Sequence, residues 1–170
     1  VVANQRSILG AKTLSLTGSG GSIIDVNAST VNNQITSGVS TGVAVDALTG
    51  TRDLIKWGNG VLYIRGNNTA YTGNVIVEQG VLSATSAGAL ASAASVTVRR
   101  YGVFELFAAG VNTTPTYEAG SIERWSVEGA RSGAINLGAA TLQVAADQFT
   151  TNATVTLNRG SIEGFLRTDD

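Results

Sequence analysis

The chain has 170 residues, of which 43% are apolar and only 14% charged, with a net charge of −1. That length and apolar content suffice for one domain with a substantial core and exclude disorder by composition. The absence of Cys and His excludes disulfides, thiolate and imidazole metal sites, and Ser-His or Cys-His nucleophiles; lysine only at Lys12 and Lys56 leaves no basic patch for nucleic acid.

Helices are nearly excluded by the 21 glycines, the β-branched runs and the missing 3.6-residue period. Strand alternation starts at residues 13–17, and Gly21-Ser22-Ile23 follows with a glycine before an apolar pair. The same glycine-then-strand unit returns at Gly42, Gly60, Gly80, Gly102, Gly120 and Gly160. The step from Gly120 to Gly160 divides evenly at Ala140, where the glycine has moved to 138. Residues 84–94 read as a loop of small residues between two of these units.

Eight stations at a spacing of about 20 residues are the mark of a stacked repeat. Two residues beyond each station the chain carries Ile23, Ala44, Leu62, Leu82, Phe104, Ile122, Leu142 and Ile162. Three residues beyond, it is mostly polar, with Ser83, Glu105, Glu123, Gln143 and Glu163. Successive strand side chains point to opposite faces, so the first set is expected inside and the second outside. A second strand falls about fifteen residues after each glycine, where Val75 and Val77, Val96 and Val98, Ile135 and Leu137, and Val155 and Leu157 form a second inward ladder. The expectation is an all-β parallel solenoid of about 20 residues per turn and roughly eight turns. Residues 1–170 form a single segment. With no initiator Met, and with a strand-like run close to the last residue, the segment is expected to be an excerpt of a longer chain.

Residues 56–84 carry a family resemblance. Gly58-Asn59-Gly60-Val61-Leu62-Tyr63-Ile64-Arg65-Gly66, then Asn68 and Tyr71 before Gly73, a strand, and Gly80-Val81-Leu82 resemble the autotransporter-associated β-strand repeat, also called the passenger-associated transport repeat. The spacing departs from the pattern by one extra residue between Asn68 and Tyr71. The resemblance implies a right-handed parallel β-helix and export to the surface of a Gram-negative-type bacterium. It also implies a structural, non-catalytic part in a passenger stalk or in a long surface fibre.

Chemistry has few carriers in this chain. Glu105 and Glu123 share the third position on adjacent turns, so stacking in register would set their carboxyls about 5 Å apart. That is near the separation of a retaining glycosidase pair, and β-helices do host polysaccharide lyases and glycosidases. The plainer reading puts both on a solvated face beside Arg99, Arg100 and Arg124, where exposed pairs contribute little. Two carboxylates alone also supply too few oxygens for Ca²⁺. No catalytic, cofactor-binding or metal-binding residue is therefore expected. The expected function is a stiff extracellular or cell-surface scaffold, whose unpaired strand edges favour end-to-end or side-by-side self-association. The alternative is an adhesin-type module for glycans or host proteins, with Tyr63, Tyr71, Glu105 and Glu123 as first contacts. With no stretch of 18 apolar residues, this segment is not expected to insert in a membrane.

Overall fold

The computed structural model describes residues 2–3, 7–26, 42–131, 133–144, 149–151, 153–164 and 166–168. They contain sixteen strands and no helix. In chain order these are β1 (Val2–Ala3), β2 (Ser7–Leu16), β3 (Gly21–Val26), β4 (Gly42–Gly50), β5 (Asp53–Trp57), β6 (Val61–Ile64), β7 (Asn74–Ala84) and β8 (Ser95–Leu106). There follow β9 (Thr116–Tyr117), β10 (Ile122–Trp125), β11 (Ile135–Gly138), β12 (Thr141–Val144), β13 (Phe149–Thr151), β14 (Val155–Leu157), β15 (Ser161–Glu163) and β16 (Leu166–Thr168).

Every strand pairing is parallel, and most join strands one turn apart, which is the signature of a solenoid. One ladder runs β2, β4, β6, the second half of β7, the second half of β8, β10, β12 and β15. A second runs β1, β3, β5, the first half of β7, the first half of β8 and β9. Two further pairs, β11 with β14 and β13 with β16, complete the later turns. From Gly42 onward the chain makes about six turns, with stacked equivalents 19 to 22 residues apart.

The core is a set of vertical columns. On the first ladder Val43, Leu62, Leu82, Phe104, Glu123, Leu142 and Ile162 stack one above the next. Beside them run Val45, Ile64, Ala84, Leu106, Trp125 and Val144. The second ladder faces them with Leu54, Val75 and Val96, and with Ile24, Lys56, Val77, Val98 and Tyr117. Each buried Leu or Val contributes roughly 1.5–3 kcal/mol, but only because the turns above and below cover it. Ile162 shows the converse. It continues the Leu142 column on the last described turn and is 45% exposed.

Three stations depart from the expected register. Gly21 lies on the second ladder opposite Asp53, so Ile23 points outward, 62% exposed, while Ile24 and Val26 face the core. Gly42 pairs with Val61, so Val43 rather than Ala44 continues the Leu62 column. Ile122 pairs with Val103, which turns Ile122 outward and Glu123 inward. A one-residue slip inverts every side chain of a strand, and the short interval from Gly102 to Gly120 supplies that slip. With Gly21 on the other ladder, seven stations remain and bound six turns, not eight. Leu62, Leu82, Phe104 and Leu142 lie in the buried column.

The marked residues of the 56–84 repeat lock neighbouring turns together. Asn68 is buried; its Oδ1 accepts from Leu48 N at 2.7 Å, and its Nδ2 donates to Arg65 O at 2.9 Å and Ala89 O at 2.8 Å. Three successive turns are thereby tied by one side chain. Tyr71 is fully buried, and its hydroxyl donates to Asn74 O at 2.7 Å, with Arg52 O 3.2 Å away. Burial pushes that hydroxyl up to about 12.

Gly80 has φ +71°, and a Cβ there would run into the carbonyl oxygens of Gly58 and Gly60 on the turn below. Gly80→Ala is expected to destabilise the fold by about 1–3 kcal/mol through backbone strain and displaced carbonyls. Gly133→Ala, where the added methyl meets nothing within 4 Å, should stay within about 0.5 kcal/mol of the parent. Urea unfolding followed by circular dichroism measures both.

Candidate functional site

Two polar features stand out: one inside the coil, one on its surface. The inner one is built on Glu123. Its carboxylate is wholly buried in the column between Phe104 and Leu142. Arg131, from the loop after β10, meets it as a fork, with Nε 2.9 Å from Oε1 and Nη2 2.8 Å from Oε2. Trp125 Nε1 donates to Oε1 at 2.5 Å, and the Tyr117 hydroxyl donates to Oε2. Arg131 Nη1 continues to the carbonyls of Val111 and Thr113. Both carboxylate oxygens and all three guanidinium nitrogens thus have partners, the condition under which a buried pair is tolerated. Burial and the Glu123 charge push the Tyr117 hydroxyl well above its ordinary value. Burial would lower Arg131, but Glu123 outweighs it and raises it.

This network separates the expected Glu105 and Glu123 pair. Glu105 pairs with Arg124 on the outer face, whereas Glu123 pairs with Phe104 on the inner one. Glu105 instead meets Arg124 at 3.8 Å and accepts from Ser126 Oγ at 2.9 Å. Arg124 then donates to Gln143, and Gln143 to Glu163, making an outward polar ladder over four turns. The two carboxylates lie on opposite sides of the sheet and form no glycosidase-like pair. Tyr71 and Glu123 are buried and Tyr63 half-buried, so of the expected contacts Tyr71 and Glu123 offer no surface. Among the described residues no group of three or more carboxylates could hold a metal ion.

A second buried charge sits at Lys56. Its Nζ donates to Trp57 O at 2.8 Å, Gly58 O at 2.6 Å and Gln79 O at 3.0 Å, tying one corner to the turn above. Burial lowers its pKa to about 8, against an opposing pull from the Asp25 charge.

The surface feature is a groove of about 370 Å³ lined by Trp57, Glu78, Gln79, Arg99, Arg100, Tyr101 and Glu118. It runs across four turns where the strands of the second ladder end. Arg99 lies between Glu118, which it hydrogen-bonds, and Glu78 at 3.7 Å; Glu118 pushes the Arg99 pKa up. Between Val98 and Tyr101, β8 has one residue more than β7 has between Val77 and Gln79. This β-bulge presents Arg99 and Arg100 in succession and leaves Tyr101 70% exposed. Trp57 is 48% exposed at the other end of the groove. Tyr101 is not among the contacts expected from the sequence. The available signal was the long interval from Gly80 to Gly102, the widest step between adjacent stations after Gly42.

Glu123→Leu is expected to cost about 3–5 kcal/mol, since Arg131 would stay buried without its partner. Glu123→Leu with Arg131→Met should recover most of that loss, as measured by urea midpoints. Lys56 gives a pH signature. Below pH 8 the folded and unfolded chains both hold its proton, and the cost of burying the charge is fully present. From about pH 8 to about 10.4 only the unfolded chain holds it, so stability rises with pH, by at most about 1.4 kcal/mol per unit. Unfolding free energies of the parent and Lys56→Met between pH 7.5 and 9.5, below tyrosine ionisation, should show the parent gaining on the variant.

Comparison with known proteins found no matching family model, curated protein or solved structure.

Proposed function

We propose that this chain is a structural segment of an extracellular or cell-surface bacterial fibre, a stalk of the kind carried by autotransporter passengers. The observation that carries this reading is the continuous parallel ladder from β2 to β15. Six turns at about 4.8 Å each make a rod of about 29 Å from Gly42 onward. Its stiffness comes from columns in which each side chain touches equivalents above and below, so further turns would extend the rod without altering its cross-section. The right-handed sense implied by the resemblance agrees with the usual hand of parallel crossovers. In the repeat at 56–84, Lys56, Asn68 and Tyr71 bond to backbone of neighbouring turns, which is a scaffold's use of those residues.

Export fits the same geometry. A turn that has crossed a membrane can stack at once on the turn before it, because its contacts are to its neighbours. The lack of cysteine leaves nothing to lock the chain during passage.

A scaffold should tolerate loss of a whole turn. Deleting residues 82–103 joins Val81 to Phe104, which already stands above Leu82 in the column. That variant, in the bacterium that makes the protein, should keep its β-sheet spectrum, a cooperative melt and its accessibility to protease added to intact cells. Deleting residues 82–92 breaks the register and should lose all three. Equal loss in both variants, or an intracellular protein throughout, would overturn the proposal.

A further inference from the structure

The groove at the end of the second ladder is a departure from the repeat with a chemistry of its own. Its walls carry two exposed aromatic rings, Trp57 and Tyr101. Sugar rings present C–H faces to such platforms, and aromatic side chains with a polar edge suit ligands that are half wet. The two carboxylates, Glu78 and Glu118, are engaged by Arg99, which holds the middle of the groove in place. Arg100 is different. Its guanidinium stands 5.5 Å from the Tyr101 ring centroid, and among the described residues it has no carboxylate partner. A guanidinium stacked on an aromatic ring keeps its donors free in the ring plane and suits a carboxylate bidentately. One free guanidinium beside two aromatic platforms matches a ring that carries a carboxylate.

We propose that this groove binds an acidic oligosaccharide, with a uronate carboxylate on Arg100 and flanking sugar rings on Trp57 and Tyr101. The bulge in β8 is what creates the site. Without the extra residue, the alternation of β7 would continue and Arg100 and Tyr101 would not both reach the groove. Tyr101 pairs with Gln79 on the turn above Trp57, so the rings lie about two turns, or roughly 10 Å, apart along the axis. That span suits a short oligosaccharide better than a single sugar. The inference does not rest on the stalk reading, since a groove of this kind could sit on any solenoid.

The test uses a glucuronate-bearing oligosaccharide and the same oligosaccharide with its carboxyl groups reduced. The chain has two tryptophans; Trp125 is buried and Trp57 exposed, so a ligand-induced fluorescence change reports on the groove. Saturable binding of the acidic form is expected, weakened by salt and about tenfold weaker for the reduced form. Arg100→Gln should lose the same factor for the acidic form and leave the reduced form unchanged. Trp57→Ala, followed by calorimetry, should weaken both, with an unaltered circular dichroism spectrum. No saturable binding, equal affinity for the two forms, or binding indifferent to Arg100→Gln would each overturn the assignment. Any of those results leaves the whole-turn deletion and its outcome unaffected.

Discussion

The constraint on which this structure depends is the vertical register of inward side chains. A single turn is a flat loop that cannot bury its own apolar face. Its stability exists only when the turns above and below present apolar groups at the same positions. Leu62 is covered because Val43 and Leu82 stand on either side of it, and Leu82 because Leu62 and Phe104 do. The column also tolerates changes of size. Ala84 stacks between Ile64 and Leu106 within the second column, and both stay fully buried. Volume missing at one level can be supplied by neighbours, provided the register holds.

Register therefore matters more than composition, and it explains how far the sequence could be read. The parallel solenoid, its period near 20 residues and much of the first column were legible, because alternation and periodicity are direct images of the strand and the turn. Leu62, Leu82 and Phe104 illustrate this: they follow their glycines at a constant offset and stack as expected. What was not legible is where the offset changes. Gly120 follows its turn one residue early relative to the ladder, so Glu123 took the inward place while looking like its outward neighbour Glu105. Apart from the short interval from Gly102 to Gly120, no residue marks that change, since Ile122 is as good a core residue as any. The signal lay in distant partners: Arg131, Tyr117 and Trp125, scattered over fifteen residues, converge only after folding. The Arg99-Arg100-Tyr101 surface was hidden in a similar way, behind an interval two residues longer than the period.

The exterior of the coil obeys a looser rule, and there sequence is free to vary. Outward positions also form columns, and several are polar ladders: Asp53, Asn74 and Ser95 are joined by side-chain hydrogen bonds, as are Arg124, Gln143 and Glu163. Such ladders need only complementary neighbours and little charge, which accounts for a surface rich in Ser, Thr, Asn and Gln. Binding chemistry then requires a break in the repetition. The bulge in β8 supplies one without disturbing the core, because Val98 below it and Phe104 beyond it remain in their inward columns.

The two buried charges follow from the same constraint. A column of aliphatic residues is nearly indifferent to which turn stacks on which, since Leu on Leu resembles Leu on Val. Lys56 and Glu123 are not indifferent. Each finds its partners in only one register: Lys56 at the carbonyls of Trp57 and Gly58 on its own turn and Gln79 on the next, Glu123 at Arg131, Trp125 and Tyr117. A slip of one residue in β10 would turn Glu123 out and Arg124 in, leaving Arg131 buried without its carboxylate and beside a second cation. The cost of an unpaired buried ion far exceeds the difference between neighbouring aliphatic contacts. An interior polar group in a solenoid thus contributes little net stability to the correct stack and a large penalty to incorrect ones. Glu123 stands at one of the two turns where the glycine spacing is shortest, which is where a penalty against slippage has a large effect.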